Sequence, residues 1–163
     1  MYSFEPRYLF EDQSSMYGSS VPNFNVEEAA EAVISKKFTD VIVLLEDGWG
    51  DSLKTAYEAK GLKVLHFPIE DFGTPSFDQL EEWIPQIVKL IQSPNHKILI
   101  HCQGGIGRTG LISACVFAAL NKKSGSEAIK KIRERIPHAV ETSSQEHCVS
   151  RFANEIIKDL NKK

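Results

Sequence analysis

The chain contains little that points away from an ordinary water-facing domain. Its longest apolar run, residues 111–120, falls far short of the roughly 20 residues a spanning helix needs. Residues 1–17 are mixed and polar, without the basic-then-apolar pattern of a secretion signal. Basic excess is missing as well: 19 Lys and Arg against 22 Asp and Glu leave a formal charge of −3. That balance argues against general nucleic-acid binding, which needs a cationic surface. Cysteine is scarce, and the three present (Cys102, Cys115, Cys148) form no CxxC pair. An odd number of unpatterned thiols fits a reducing compartment, so a cytoplasmic location is expected. His66, His96, His138 and His147 show no ligand spacing, so no metal site and no cofactor are expected. No repeat or low-complexity linker divides the chain, so residues 1–163 read as a single domain, expected to be a monomer without a membrane partner.

The 42% of hydrophobic residues is enough to build a core. They are arranged as alternating helices and buried strands. Residues 1–24 hold turn formers and the aromatics Tyr2, Phe4, Tyr8, Phe10 and Tyr17, which predict a segment packed on the domain, with room for one short strand. Asn25, with Glu28 in the reciprocal position, predicts a helix to about Lys37, with Ala29, Ala30, Val33 and Ile34 facing inward. The run 41–45 (VIVLL) predicts a strand covered on both faces. Asp51 or Ser52 then caps a short helix to Lys60, which Gly61 ends, and 64–67 is the next strand. Ser76 with Gln79 forms a capping box for a helix to about Gln92, carrying Ile84, Ile87, Val88 and Ile91 inward. Pro85 is expected to kink that helix or split it in two.

After the strand 98–100 and the buried helix 111–120, Ser124 with Glu127 opens a further helix that stops before Pro137. Either Thr142 with Gln145 or Ser143 with Glu146 opens the last, whose inner stripe is Val149, Phe152, Ile156 and Leu160. Lys122, Lys123, Lys130, Lys131, Arg133 and Arg135 read as a solvated helix surface. The pattern predicts an α/β fold with a central, mostly parallel twisted sheet flanked by helices.

Chemistry concentrates in His101-Cys102-Gln103-Gly104-Gly105-Ile106-Gly107-Arg108-Thr109-Gly110, set between a strand and a helix. Glycines let consecutive backbone N–H groups point inward, and a helix N-terminus favours negative charge, so the turn is built to hold an anion. Cys102 adds a nucleophile. Arg108 adds a planar fork for phosphate oxygens that a lysine could not supply. The features that bind phosphate also favour the thiolate of Cys102 over its thiol.

Cys102, five residues, Arg108 and Thr109 resemble the Cys-x5-Arg-Ser/Thr signature of the protein tyrosine phosphatase superfamily. With His101, Gly104, Gly105, Ile106 and Gly107 included, the string is similar to the compact dual-specificity-type and archaeal members. The resemblance implies a phosphatase-type domain with a strand–loop–helix active site, acting without a metal. It implies a nucleophilic Cys102, a phosphate held by Arg108 and the backbone of residues 103–107, and a cysteinyl-phosphate intermediate. It also implies an aspartate acid on a loop before the signature. In Pro68-Ile69-Glu70-Asp71-Phe72-Gly73-Thr74-Pro75 that position is Asp71, with Glu70 a near rival and Asp47 a distant one. Thr109 matches the hydroxyl that bonds the sulfur, Gln145 the glutamine that positions water, and His101 a residue that orients the loop. Gln145 reads equally well as a simple capping partner of Thr142.

The implied activity is hydrolysis of phosphotyrosine in protein substrates, with phosphoserine and phosphothreonine open beside it. No Asn-Arg-Tyr-like stretch matches the deep phosphotyrosine-recognition loop of larger members, which favours a shallower cleft. A phosphoinositide or RNA 5′-phosphatase, or a phospho-binding pseudophosphatase, are the alternatives. The neutral loop residues Gln103 to Gly107 weigh against highly charged head groups, and the presence of cysteine, arginine and aspartate candidates weighs against an inert binder. Cys115 reads as a core residue and Cys148 as a lone thiol; pairing of either with an oxidised Cys102 is the minor reading.

Overall fold

The computed structural model describes residues 3–161, with side chains through residue 159, so Tyr2 and the Leu160 side chain fall outside it. The elements run β1 (Arg7–Glu11), β2 (Ser15–Ser19), α1 (Val26–Ser35), β3 (Asp40–Val43), α2 (Trp49–Ala59), β4 (Lys63–His66), α3 (Phe77–Ile91), β5 (Lys97–His101), α4 (Gly107–Asn121), α5 (Gly125–Arg133) and α6 (Ser143–Asn161). The sheet order is β1-β2-β5-β3-β4. Only the β1–β2 hairpin is antiparallel, so the sheet is mostly parallel as expected.

Alternation along the central strands divides the core into two layers. Val41 and Val43 of β3 and Leu99 of β5 face α1 and α2, together with Leu53, Tyr57 and Val33. Ile42, Ile98 and Ile100 face the other way, onto the side covered by α3 to α6. Both faces are therefore dry, which is why these strands read as unbroken apolar runs. Helix α4 lies at the centre of the second layer and is buried from Gly107 through Val116. A helix apolar on all sides fits that position.

The N-terminal aromatics pack as predicted, but in a two-stranded hairpin. Phe4 and Tyr17 both contact the Phe38 ring, and Phe10 meets Phe117 edge-on. The structure corrects several other expectations. Ile34 lies on the outer side of α1, 38% exposed, one step round the helix from buried Val33. Helix α2 starts at Trp49 with Gly48 as its cap, and Asp51 sits three residues inside, its Oδ2 accepting the Gly48 N–H at 2.9 Å. Neither Asp51 nor Ser52 is the cap, because a glycine at φ +91° makes the turn that a side chain was expected to cap. Pro85 leaves α3 a single helix. It lies on the exposed face, where the Glu81 carbonyl it leaves without an amide donor can turn to water. Arg133 is a fastener as well as a surface charge: it donates to the Ala139 and Val140 carbonyls and to Glu146, bracing the turn before α6.

The capping box of α3 is formed as the sequence predicts, Ser76 Oγ accepting from the Gln79 N–H and Gln79 Oε1 from the Ser76 N–H. Replacing Ser76 with Ala removes one of these bonds and is expected to lower stability by about 1 kcal/mol. Equilibrium urea denaturation checks this as a shifted midpoint with an unchanged slope.

Candidate active site

The parallel strands β5 and β3 deliver the signature loop and the β3–α2 loop to one edge of the sheet. Helix α4 begins inside the signature, at Gly107 and not after Gly110, so Arg108 and Thr109 belong to its first turn. That placement aims the free N–H groups of the helix start at the same point as the loop backbone.

Cys102 is 2% exposed. Its Sγ accepts from the Gly105 N–H at 3.2 Å and from Thr109 Oγ1 at 3.1 Å. Gly105 has φ +77°, and a Cβ there would lie 2.6 Å from the backbone of Ser19 and Ser20 at the end of β2. Glycine alone satisfies both constraints. At Gly104 a Cβ would meet nothing within 4 Å among the described residues. Gly107 is pressed by another group, since a Cβ there would come within 2.5 Å of Glu141 Oε1.

Arg108 is buried, with 3% of its side chain exposed. Nη1 donates to the Ile69 carbonyl at 2.9 Å, and Nη2 lies 3.4 Å from Asp71 Oδ1. Glu46 completes the set: Oε1 is 3.8 Å from Arg108 Nη1 and accepts the Asp71 N–H at 3.2 Å. Asp71 stands on a turn closed by the Gly73 N–H to the Glu70 carbonyl at 2.8 Å, with Phe72 at φ +60°. Glu70, the near rival, is exposed and has no ion pair to Arg108, and Asp47 points elsewhere, into a group with Asp51 and His66.

Gln145 is 1% exposed and engaged at both ends of its amide. Oε1 accepts from the Glu141 and Thr142 N–H groups, and Nε2 donates to the Gly73 carbonyl at 3.3 Å. Its N–H bonds Thr142 Oγ1, so the Thr142–Gln145 pair is the one that opens α6. Gln145 therefore ties α6 to the loop that carries Asp71.

Behind the loop, His101 is fully buried. Its Nδ1 donates to the Cys102 carbonyl and its Nε2 accepts from the Tyr57 hydroxyl at 2.8 Å. Burial pushes its pKa down from 6.5 to about 4, so the ring is neutral, and burial pushes the Tyr57 phenol up, so it remains a donor. Burial also pushes the Cys115 and Cys148 thiols up, which removes them as ready thiolates.

Sequence reasoning missed Tyr57, Glu141 and the link made by Glu46. No local pattern marks them, because each acts across elements distant in the chain. It also missed that Asp47, Asp51 and His66 come together, since only folding brings β4 against the start of α2.

A family model described as "Polymorphic toxin system, DSP-PTPase phosphatase" matches residues 18–121. The chain is similar to rat cyclin-dependent kinase inhibitor 3, 29% identical over 143 residues, covering 83% of this chain and 67% of that protein. Among solved structures it resembles Tk-PTP in a glycine-to-alanine mutant form, at 28% identity and TM-score 0.73, covering 96% and 97% of the two chains. It also shares the fold of kinase associated phosphatase, at 24% identity and TM-score 0.80 over 94% and 96% of the two chains.

Two outcomes test this geometry. Gly104→Ala is expected to leave the fold and anion binding within about twofold of wild type, whereas Gly105→Ala destabilises by at least about 1 kcal/mol and weakens vanadate binding. Thermal denaturation and a vanadate titration read both. In the second, the unfolded chain protonates His101 below pH 6.5 while the folded one resists until about pH 4. Stability is thus full above 6.5 and falls across that window by up to about 3 kcal/mol. The stability difference between wild type and His101→Asn, measured by denaturation at each pH, should shrink as the pH drops from 6.5 to 4.

Proposed function

The chain belongs to the compact dual-specificity-type protein tyrosine phosphatases, hydrolases of phosphate esters, and from that premise we propose that it removes phosphate from phosphotyrosine in proteins through a cysteinyl-phosphate intermediate. The observation that carries the reading is a buried Cys102 sulfur accepting from the Gly105 N–H and the Thr109 hydroxyl, in the same signature whose buried Arg108 guanidinium lies 3.4 Å from Asp71. The Cys102 thiolate attacks phosphorus as the ester P–O bond breaks, and the protonated Asp71 carboxyl delivers its proton to the leaving oxygen. Arg108 and the N–H groups of residues 103–107 hold the three equatorial oxygens, whose charge grows in the transition state. In the second step the Asp71 carboxylate takes a proton from water as that water attacks the phosphocysteine. The Thr109 hydroxyl, 3.1 Å from Sγ, stabilises the departing thiolate. Gln145, bonded to the Gly73 carbonyl, is assigned to positioning the Asp71 loop against this site.

Charge supports a phosphoprotein over a polyanionic lipid or RNA. The loop residues Gln103 to Gly107 carry no cation, and the surrounding loops present Glu46, Glu70 and Asp71. A single phosphate on a neutral aromatic ring meets less repulsion there than a head group bearing several. Both phosphotyrosine and phosphothreonine fit the same chemistry, and exposed Phe72 beside Asp71 favours the aromatic one.

Turnover of an aryl phosphate in chelator, with inhibition by vanadate, is expected of the wild type. Cys102→Ser should leave no measurable turnover, and Arg108→Ala should lower kcat/KM by at least about 10²–10³-fold. Asp71→Asn should slow phosphotyrosine peptides by about 10²–10⁴-fold and an activated aryl ester much less. Full activity in Cys102→Ser would refute the mechanism. A panel of phosphotyrosine peptides, phosphothreonine peptides and phosphoinositides ranks the substrate classes.

A further inference from the structure

Outside the catalytic loop, β4 and the start of α2 bring together Asp47, Asp51 and His66, with one ligand atom from each within 4.8 Å of the others. Two exposed carboxylates alone would be unremarkable. What separates this group from a chance acidic cluster is the imidazole. The His66 side chain is only 8% exposed, and its Nε2 is fixed at 2.7 Å from the Leu45 carbonyl, to which it must donate. In the neutral ring that tautomer leaves Nδ1 with a lone pair. Nδ1 faces Asp51 Oδ1, a second acceptor, at 3.5 Å. A cation placed between the neutral ring and the carboxylate would satisfy both acceptors.

The geometry points to a divalent-cation site of the zinc type formed by His66 Nδ1, Asp51 Oδ1 and an Asp47 carboxylate oxygen, with water in the remaining position. Ligand atoms on a tetrahedral zinc stand about 3.4 Å apart, which matches the 3.5 Å separation of His66 Nδ1 and Asp51 Oδ1. Both of these ligands already have the outer partners such a site needs. His66 donates its other nitrogen to the Leu45 carbonyl, and Asp51 Oδ2 accepts the Gly48 N–H at 2.9 Å, so Oδ1 is the oxygen turned to His66. Gly50 makes room: a Cβ there would fall 2.3 Å from His66 Nε2, so only glycine lets the first turn of α2 close over the ring. Mixed nitrogen and oxygen donors suit zinc better than calcium or magnesium. The ion would join β4, the β3–α2 loop and α2, and it takes no part in phosphate transfer.

The test uses the full chain carrying Cys102→Ser, which removes the catalytic thiol as a competing zinc ligand. Isothermal titration with Zn2+ in phosphate-free buffer is expected to show one ion per chain, and thermal denaturation a midpoint that rises with zinc. His66→Gln and Asp51→Asn, each added to that background, should weaken binding at least tenfold. Asp51 also accepts the Gly48 N–H at the start of α2 and His66 is packed, so Asp47→Asn, at an exposed position, supplies an independent arm with an expected loss of several-fold. Zinc binding unchanged in His66→Gln and in Asp47→Asn would overturn the proposal. So would no zinc uptake by the parent, the outcome if His66 simply shares a proton with Asp51.

Discussion

A guanidinium buried at the positive end of a helix is the constraint on which this structure turns. Arg108 sits in the first turn of α4, where the helix dipole repels a cation, and it is almost fully removed from water. Such a group persists only if its donors are bonded and its charge is met. The protein answers with the Ile69 carbonyl and with two carboxylates on different loops, Asp71 and Glu46. The loop after β4 and the loop after β3 therefore have their positions set from the same side chain. Because both carboxylates remain about half exposed, neutralisation is incomplete, and the fork retains an appetite for a strongly charged oxyanion. One buried side chain thus organises both loops around the signature.

Two further ties hold the arrangement rigid from behind. The Tyr57 hydroxyl and the neutral His101 ring form a relay that ends on the Cys102 carbonyl, fixing the peptide that begins the loop. On the opposite side, Gln145 spans from the start of α6 to Gly73. The turn that carries Asp71 is thereby fastened to a second element besides Arg108. The buried amide ties that turn to the start of α6.

Much of this was legible in the sequence where the cause is local. The capping pairs Ser76–Gln79 and Thr142–Gln145 act over three residues, and the Cys102-to-Thr109 string is contiguous, so both could be read directly. The mostly parallel sheet followed from apolar runs without alternation. The start of α2 was misplaced because its turn is made by a glycine, which offers no side-chain signal. Pro85 does not split α3 in two, because its cost depends on which side of the helix meets water, a tertiary property. Glu46, Tyr57, Glu141 and the Asp47–Asp51–His66 group were invisible for a related reason: their partners lie on other elements, and no periodicity encodes them. Gln145 combined both cases, its capping role visible and its bond to Gly73 not.

The contact between Gly105 and the end of β2 ties the signature loop to the N-terminal hairpin. The backbone of Ser19 and Ser20 forms one wall against which the signature loop is shaped, and that wall comes from the opposite end of the chain. Val21 adds an N–H bond to the Gln103 carbonyl in the same place. The curvature of the loop is thus met by a neighbour far from it in the chain, as well as by β5 and α4 on either side. The docked hairpin is therefore part of what shapes the turn, and a change that loosened β2 from β5 would reach the Cys102 loop without touching any of its residues.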